Sequence, residues 1–125
     1  MHRKIIIALL VFFSGYASAH SWTPTYPKFL PSYVDKVVET EMTLFNKRPD
    51  VDYYRVEVLD KDMKPVMFAS ANKIYKVGYL QKAKVLIFLR EESLGDAVYI
   101  CSRSMFVKSY TSLNRVSSRI CSKIR

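Results

Sequence analysis

The chain has 125 residues, with 20 Lys and Arg against 11 Asp and Glu, a formal net charge of +9, and half of its residues hydrophobic. That length supports one domain around a single core and excludes two. No internal repeat, glycine-rich phosphate loop or low-complexity tract is present, which excludes the simplest nucleotide-binding and disordered classes.

The first stretch, residues 1–19, opens with a basic Met-His-Arg-Lys, continues through the apolar run Ile5 to Phe13 and ends at Ala17-Ser18-Ala19. This pattern predicts a secretory signal peptide cleaved after Ala19. The apolar run falls well short of the roughly 20 residues needed to span a bilayer as a helix. Residues 20–125 keep 18 basic side chains against 11 acidic ones, a balance of about +7.

Residues 20–33 hold Trp22, Tyr26, Phe29 and Tyr33 among three prolines, Pro24, Pro27 and Pro31. Proline at that density forbids helix and predicts an extended arm laid over the remaining residues, 34–125. An exposed arm of this kind would be an aromatic binding strip. Val34 to Phe45 then reads as a first long strand with Val38, Met42 and Leu44 on one parity. Asn46 to Asp50 is a polar break, and Tyr53 to Leu59 alternates Tyr54, Val56 and Val58 against Tyr53, Arg55 and Glu57. These two runs are expected to form a hairpin that organises the fold.

Further short strands are expected over Val66 to Ala69, Lys73 to Val77, Ala83 to Leu89 and Ala97 to Ser102, with a loop over Glu91 to Asp96. Residues 111–125 read either as a strand or as a helix with Arg115, Arg119 and Lys123 stacked on one side. The serines and β-branched residues favour the strand. An antiparallel pairing of that strand with Ala97 to Arg103 that sets Cys121 opposite Cys101 also sets Arg103 opposite Arg119 and Tyr99 opposite Lys123. Two cysteines in an exported chain, without a Cys-Xaa-Xaa-Cys motif, predict one structural disulfide. The two facing arginines repel unless something anionic lies between them.

Seven or so short strands with regular turns predict a single immunoglobulin-like antiparallel β-sandwich. The runs LFNKRPDVDYYRVEVLDKDMKPV and KVGYLQKAKVLIFLR resemble the amino-terminal domain of periplasmic pilus-assembly chaperones, over roughly Val38 to Cys101. That resemblance implies an immunoglobulin-like fold that caps the strand edge of a client protein by donating a strand. Those chaperones have a second domain and a basic anchor between the two, so no anchor residue is carried over. GDAVYICSR also resembles the antibody variable-domain strand in which a tyrosine, here Tyr99, closes a corner ahead of the cysteine, here Cys101. Small secreted one-domain proteins of this look occur among bacteriophage proteins as well, which implies an accessory role in infection or the virion.

No acidic residue lies beyond Asp96, whereas Arg103, Lys108, Arg115, Arg119, Lys123 and Arg125 are basic. Arg103, Arg119, Lys123 and Arg125 are therefore the expected contacts to an anionic partner. The alternative to that solvated basic face as a binding surface is a metal site. Cleavage after Ala19 would make His20 amino-terminal, and a terminal histidine chelates copper through its amine and ring, as in lytic polysaccharide monooxygenases. The mature chain has no second histidine to complete their brace. The expectation is thus a non-enzymatic exported binding module, periplasmic or secreted, with a protein partner, no cofactor and no sequence-specific nucleic-acid role.

Overall fold

A computed structural model describes residues 20–105 and 117–125. The expected signal peptide, the start of the ambiguous tail, Lys108 and Arg115 lie outside those residues. Among the described residues, eight strands form two antiparallel sheets. The first sheet has β1 (Ser21–Thr23) and β2 (Leu30–Pro31) one after the other along one edge of β3 (Val37–Phe45), with β6 (Lys82–Arg90) on the other edge. The second runs in the order β5 (Ile74–Lys76), β4 (Tyr53–Leu59), β7 (Tyr99–Met105), β8 (Arg119–Lys123). With β1 and β2 as strand A, this is the A-B-E against C′-C-F-G order of an immunoglobulin-like sandwich. A four-residue helix, α1 (Glu91–Leu94), replaces the loop expected after β6.

Strand alternation explains the core. Val38, Met42, Leu44, Val85, Ile87 and Leu89 from the first sheet are buried against Tyr54, Val56, Val58 and Ile100 from the second. Each aliphatic side chain removed from water in this way contributes roughly 1.5 to 3 kcal/mol. The arm supplies Trp22 to the same core, and its indole N–H donates to the Ile100 carbonyl at 3.0 Å. The arm thus forms the edge strands of the first sheet.

The expected hairpin needs correction. β3 and β4 lie in different sheets, and the chain crosses between them at Asn46. Asn46 is fully buried and acts as the hinge pin of that corner. Its side-chain amide donates to the carbonyls of Val51 (2.6 Å) and Val77 (2.8 Å), while its oxygen accepts from the Tyr54 hydroxyl (2.5 Å) and the Arg48 amide (2.9 Å). Such bonds satisfy the corner within itself, which removes the need for a ladder between β3 and β4. The strand expected over Val66 to Ala69 is also absent: the segment makes one isolated bridge, Ala69 to Phe88, and a second, Leu59 to Pro65, lies just before it. Within it the chain passes from the second sheet to the first.

β8 pairs with β7 in the anticipated register, with Tyr99 opposite Lys123, Cys101 opposite Cys121 and Arg103 opposite Arg119. The described part of the tail, residues 117–125, is therefore strand rather than helix. Cys101 and Cys121 form a disulfide across the two strands, with Cα atoms 4.0 Å apart. The Ser104 amide donates to the Ser118 carbonyl and the Ile124 amide to the Val98 carbonyl. The cysteine pair, at the other parity, thus occupies a non-hydrogen-bonded position, where facing residues come closest.

Candidate anion-binding groove

Along β4, β7 and β8 the even-numbered residues point into the sandwich and the odd-numbered ones point out. The registers align the outward residues into two rungs. Arg55, Arg103 and Arg119 form one, and Glu57, Cys101 and Cys121 form the next. Three guanidinium groups on one rung would repel. The Glu57 carboxylate lies between two of them, 3.1 Å from an Arg103 amine and 3.5 Å from one of Arg119. Its side chain is only 16% exposed, against 36% and 37% for the two arginines. The anion that the sequence calls for between Arg103 and Arg119 is thus supplied from within the chain. The disulfide on the adjacent rung holds β8 beside β7, which keeps the two guanidinium groups at this spacing.

An open groove of about 650 Å³ runs over this face. Arg55, Arg103, Arg119 and Lys73 line it, together with the one carboxylate of Glu57, so three positive charges are left unmatched. Met63, Pro65, Val66, Met67 and Phe68 make its apolar wall. Guanidinium groups are suited to this work because their planar donors match carboxylate, phosphate and sulfate oxygens two at a time.

Of the four arginines and lysines expected to contact an anion, the structure brings Arg103 and Arg119 together and leaves the others apart. Lys123 is exposed opposite Tyr99, two residues beyond the disulfide. The Arg125 guanidinium turns to the Leu94 carbonyl at the end of α1. Sequence reasoning missed Arg55, Lys73 and Glu57. Parity assigns Arg55 and Glu57 to the outward face of their strand, but nothing local marks which rung of β7 they meet. The Tyr99 corner needs correction too: Cys101 faces outward, so Tyr99 does as well, and its hydroxyl forms no hydrogen bond among the described residues.

His20 lies on the other side of the same sheet. It is 3% exposed and packs against the Tyr54 ring with centroids 4.6 Å apart. Its Nε2 is 2.7 Å from the Ser102 hydroxyl and 3.2 Å from the Ser102 carbonyl, and its Nδ1 is 3.2 Å from the Ser118 hydroxyl. Both ring nitrogens, including the Nδ1 that a chelate with the terminal amine would use, are engaged within the protein. No group of three or more His, Cys, Asp or Glu side chains converges among the described residues. Burial pushes the His20 pKa down to about 4, overriding the carbonyl of Ser102, which favours the protonated ring; the charge of Arg48 adds to the lowering. Burial likewise pushes the Tyr54 hydroxyl up to about 12, so it remains a donor to Asn46 at neutral pH. Ser102 and His20 form a hydroxyl–imidazole pair, yet Ser102 has no exposed surface, so the pair is a core contact without access for a substrate.

No helix among the described residues is long and apolar enough to cross a membrane. The chain matches no protein-family model and no curated protein sequence.

Proposed function

We propose that the protein is an exported, non-enzymatic, immunoglobulin-like binding module that holds an anionic partner on the outer face of its four-stranded sheet. The observation that carries this reading is the rung of Arg55, Arg103 and Arg119 with Lys73 beside it, four cations lining one groove around the single carboxylate of Glu57. A solvated surface would place such charges apart; here three strands converge to put them together at positions where like charges cost stability. In the free module Glu57 relieves part of that repulsion. An anionic partner relieves the rest, and that difference is the source of binding free energy.

Export is supported by the residue pattern of positions 1–19 and by the disulfide, which persists in oxidising compartments. Mass spectrometry of the secreted protein should find a chain beginning at His20.

The test of binding is retention of the oxidised protein on an immobilised sulfated polysaccharide and on an immobilised acidic protein, over a salt gradient. Arg103→Glu with Arg119→Glu should weaken retention at least tenfold and flatten its salt dependence, while the melting transition persists. Retention unchanged by this pair of substitutions would sink the site.

A further inference from the structure

The groove has two unlike sides. One is the cationic rung of Arg55, Arg103 and Arg119. The other is the segment from Met63 to Phe68, on the way from the second sheet to the first. Val66 and Phe68 in that segment pack against the core. Met63 and Met67 do not: they are 44% and 83% exposed, two large apolar side chains left in water beside a surplus of positive charge.

The backbone holds one of these methionines in place. Met63 has a φ of 62°, in the left-handed region that residues with a side chain seldom adopt. Asp60 closes the turn around it. The Asp60 carboxylate accepts from the amides of Asp62 (2.8 Å) and Lys64 (2.9 Å), its carbonyl accepts from the Met63 amide (3.0 Å), and its amide donates to the Lys64 carbonyl (2.9 Å). A backbone that suits glycine or asparagine better thus presents a thioether at the groove. Methionine is flexible and polarisable, and moulds to apolar bodies of different shape. A polyanion held by charge alone would leave this side of the groove in water, and a purely apolar ligand would leave the cations unmatched. A molecule with both features covers both sides. The groove's volume of about 650 Å³ lies within the roughly 300 to 1,000 Å³ typical of small-molecule sites. Apolar carbon laid against the methionines adds hydrophobic free energy and, by excluding water, strengthens the charge contact beside it.

We infer that the groove binds a single anionic amphiphile, with its head on the Arg55, Arg103 and Arg119 rung and its apolar body along Met63, Pro65 and Met67. This rests on the anion-binding reading of the same groove and adds that the recognised anion carries an apolar body.

The experiment titrates the oxidised protein by calorimetry with decanesulfonate below its critical micelle concentration, with methanesulfonate as the same head without the tail, and with decyl maltoside as the same tail without the charge. Decanesulfonate should bind about thirtyfold more tightly than either. Met63→Asn with Met67→Gln changes only exposed side chains, and asparagine tolerates the left-handed backbone, so the melting transition should persist. That variant should weaken decanesulfonate binding about tenfold and leave retention on the sulfated polysaccharide unchanged. Arg103→Glu with Arg119→Glu should weaken both.

Three results would overturn the inference: methanesulfonate or decyl maltoside binding as tightly as decanesulfonate, an unchanged affinity for decanesulfonate in the methionine variant, or binding to anionic phospholipid vesicles with none of the monomeric amphiphile. In each of these the anion-binding reading survives so long as polysaccharide retention depends on Arg103 and Arg119. If neither decanesulfonate binding nor retention responds to the arginine substitutions, the reading beneath the inference falls with it.

Discussion

Strand β7 carries a polar cluster on each of its faces, and the two obey different rules. Inward, Ser102 joins His20 directly and Ser104 joins it through Ser118, and Tyr54 joins Asn46, in a set of neutral groups with no buried side-chain polar atom left without a partner among the described residues. Outward, one residue along the chain, Arg103 joins Arg55 and Arg119 in a set of charges that Glu57 balances only in part. A closed network of neutral groups supports the fold, and nothing is left over for a ligand. A half-balanced network of charges is tolerated because water reaches it, and that same surplus is available to a partner. One-residue alternation is all that separates the two.

The sharpest way to break this comparison is at the inner cluster. Asn46→Ala would strand the Tyr54 hydroxyl and the carbonyls of Val51 and Val77, and should lower stability by on the order of 4 kcal/mol. Chemical denaturation of the variant checks this; a loss under about 1 kcal/mol would mean that water replaces the side chain. Replacing both cysteines by serine releases a link between residues 20 apart, which should cost about 3 kcal/mol. The same change should loosen the arginine rung and weaken polyanion retention even at temperatures where the protein stays folded.

Acid separates the two faces without mutation. The folded His20 pKa of about 4 lies below the ordinary value of 6.5, so between those values the unfolded chain binds the extra proton. Stability contributed by the neutral ring is therefore complete above pH 6.5, falls as the pH drops toward 4, and levels off below it. The total loss should be on the order of 3 kcal/mol. Unfolding free energies measured across this range should show that slope, and His20→Gln should flatten it. The smallest expected effect is at Glu57. Glu57→Gln should change stability by no more than about 1 kcal/mol while raising anion affinity severalfold, because the two arginines lose their internal partner. Weaker anion binding in that variant would mean that the carboxylate positions the arginines rather than competing for them.

Much of this was legible one strand at a time. Parity alone assigned Val38, Met42 and Leu44, and again Tyr54, Val56 and Val58, to a buried face, because a period of two survives whichever neighbour a strand acquires. The β7–β8 register was legible too, since two cysteines bonded across adjacent strands leave one alignment. The partner of β3 was not. Asn46 to Asp50 looks the same in a sequence whether it turns a hairpin or carries the chain to the opposite sheet, and the deciding bonds come from Val51, Val77 and Tyr54. Glu57 was missed for a related reason. It meets Arg103 through a β4–β7 pairing with no covalent mark, in which a shift of two residues would preserve every parity and dissolve the site.

The arm has a consequence for the order in which the molecule is assembled. Residues 20–25 do not merely edge one sheet: the Lys123 amide donates to the Thr25 carbonyl, the Ser122 hydroxyl donates to the Pro24 carbonyl, and Ser118 meets His20. The last two contacts join residues 98 apart in the chain. Such closures carry the highest loop entropy in the domain and form late. A chain emerging from a ribosome or a translocation channel would hold its earliest strand waiting for its latest one. Until β8 arrives, the inner faces of both sheets and the free cysteines stay open to whatever chaperone or oxidant the compartment provides.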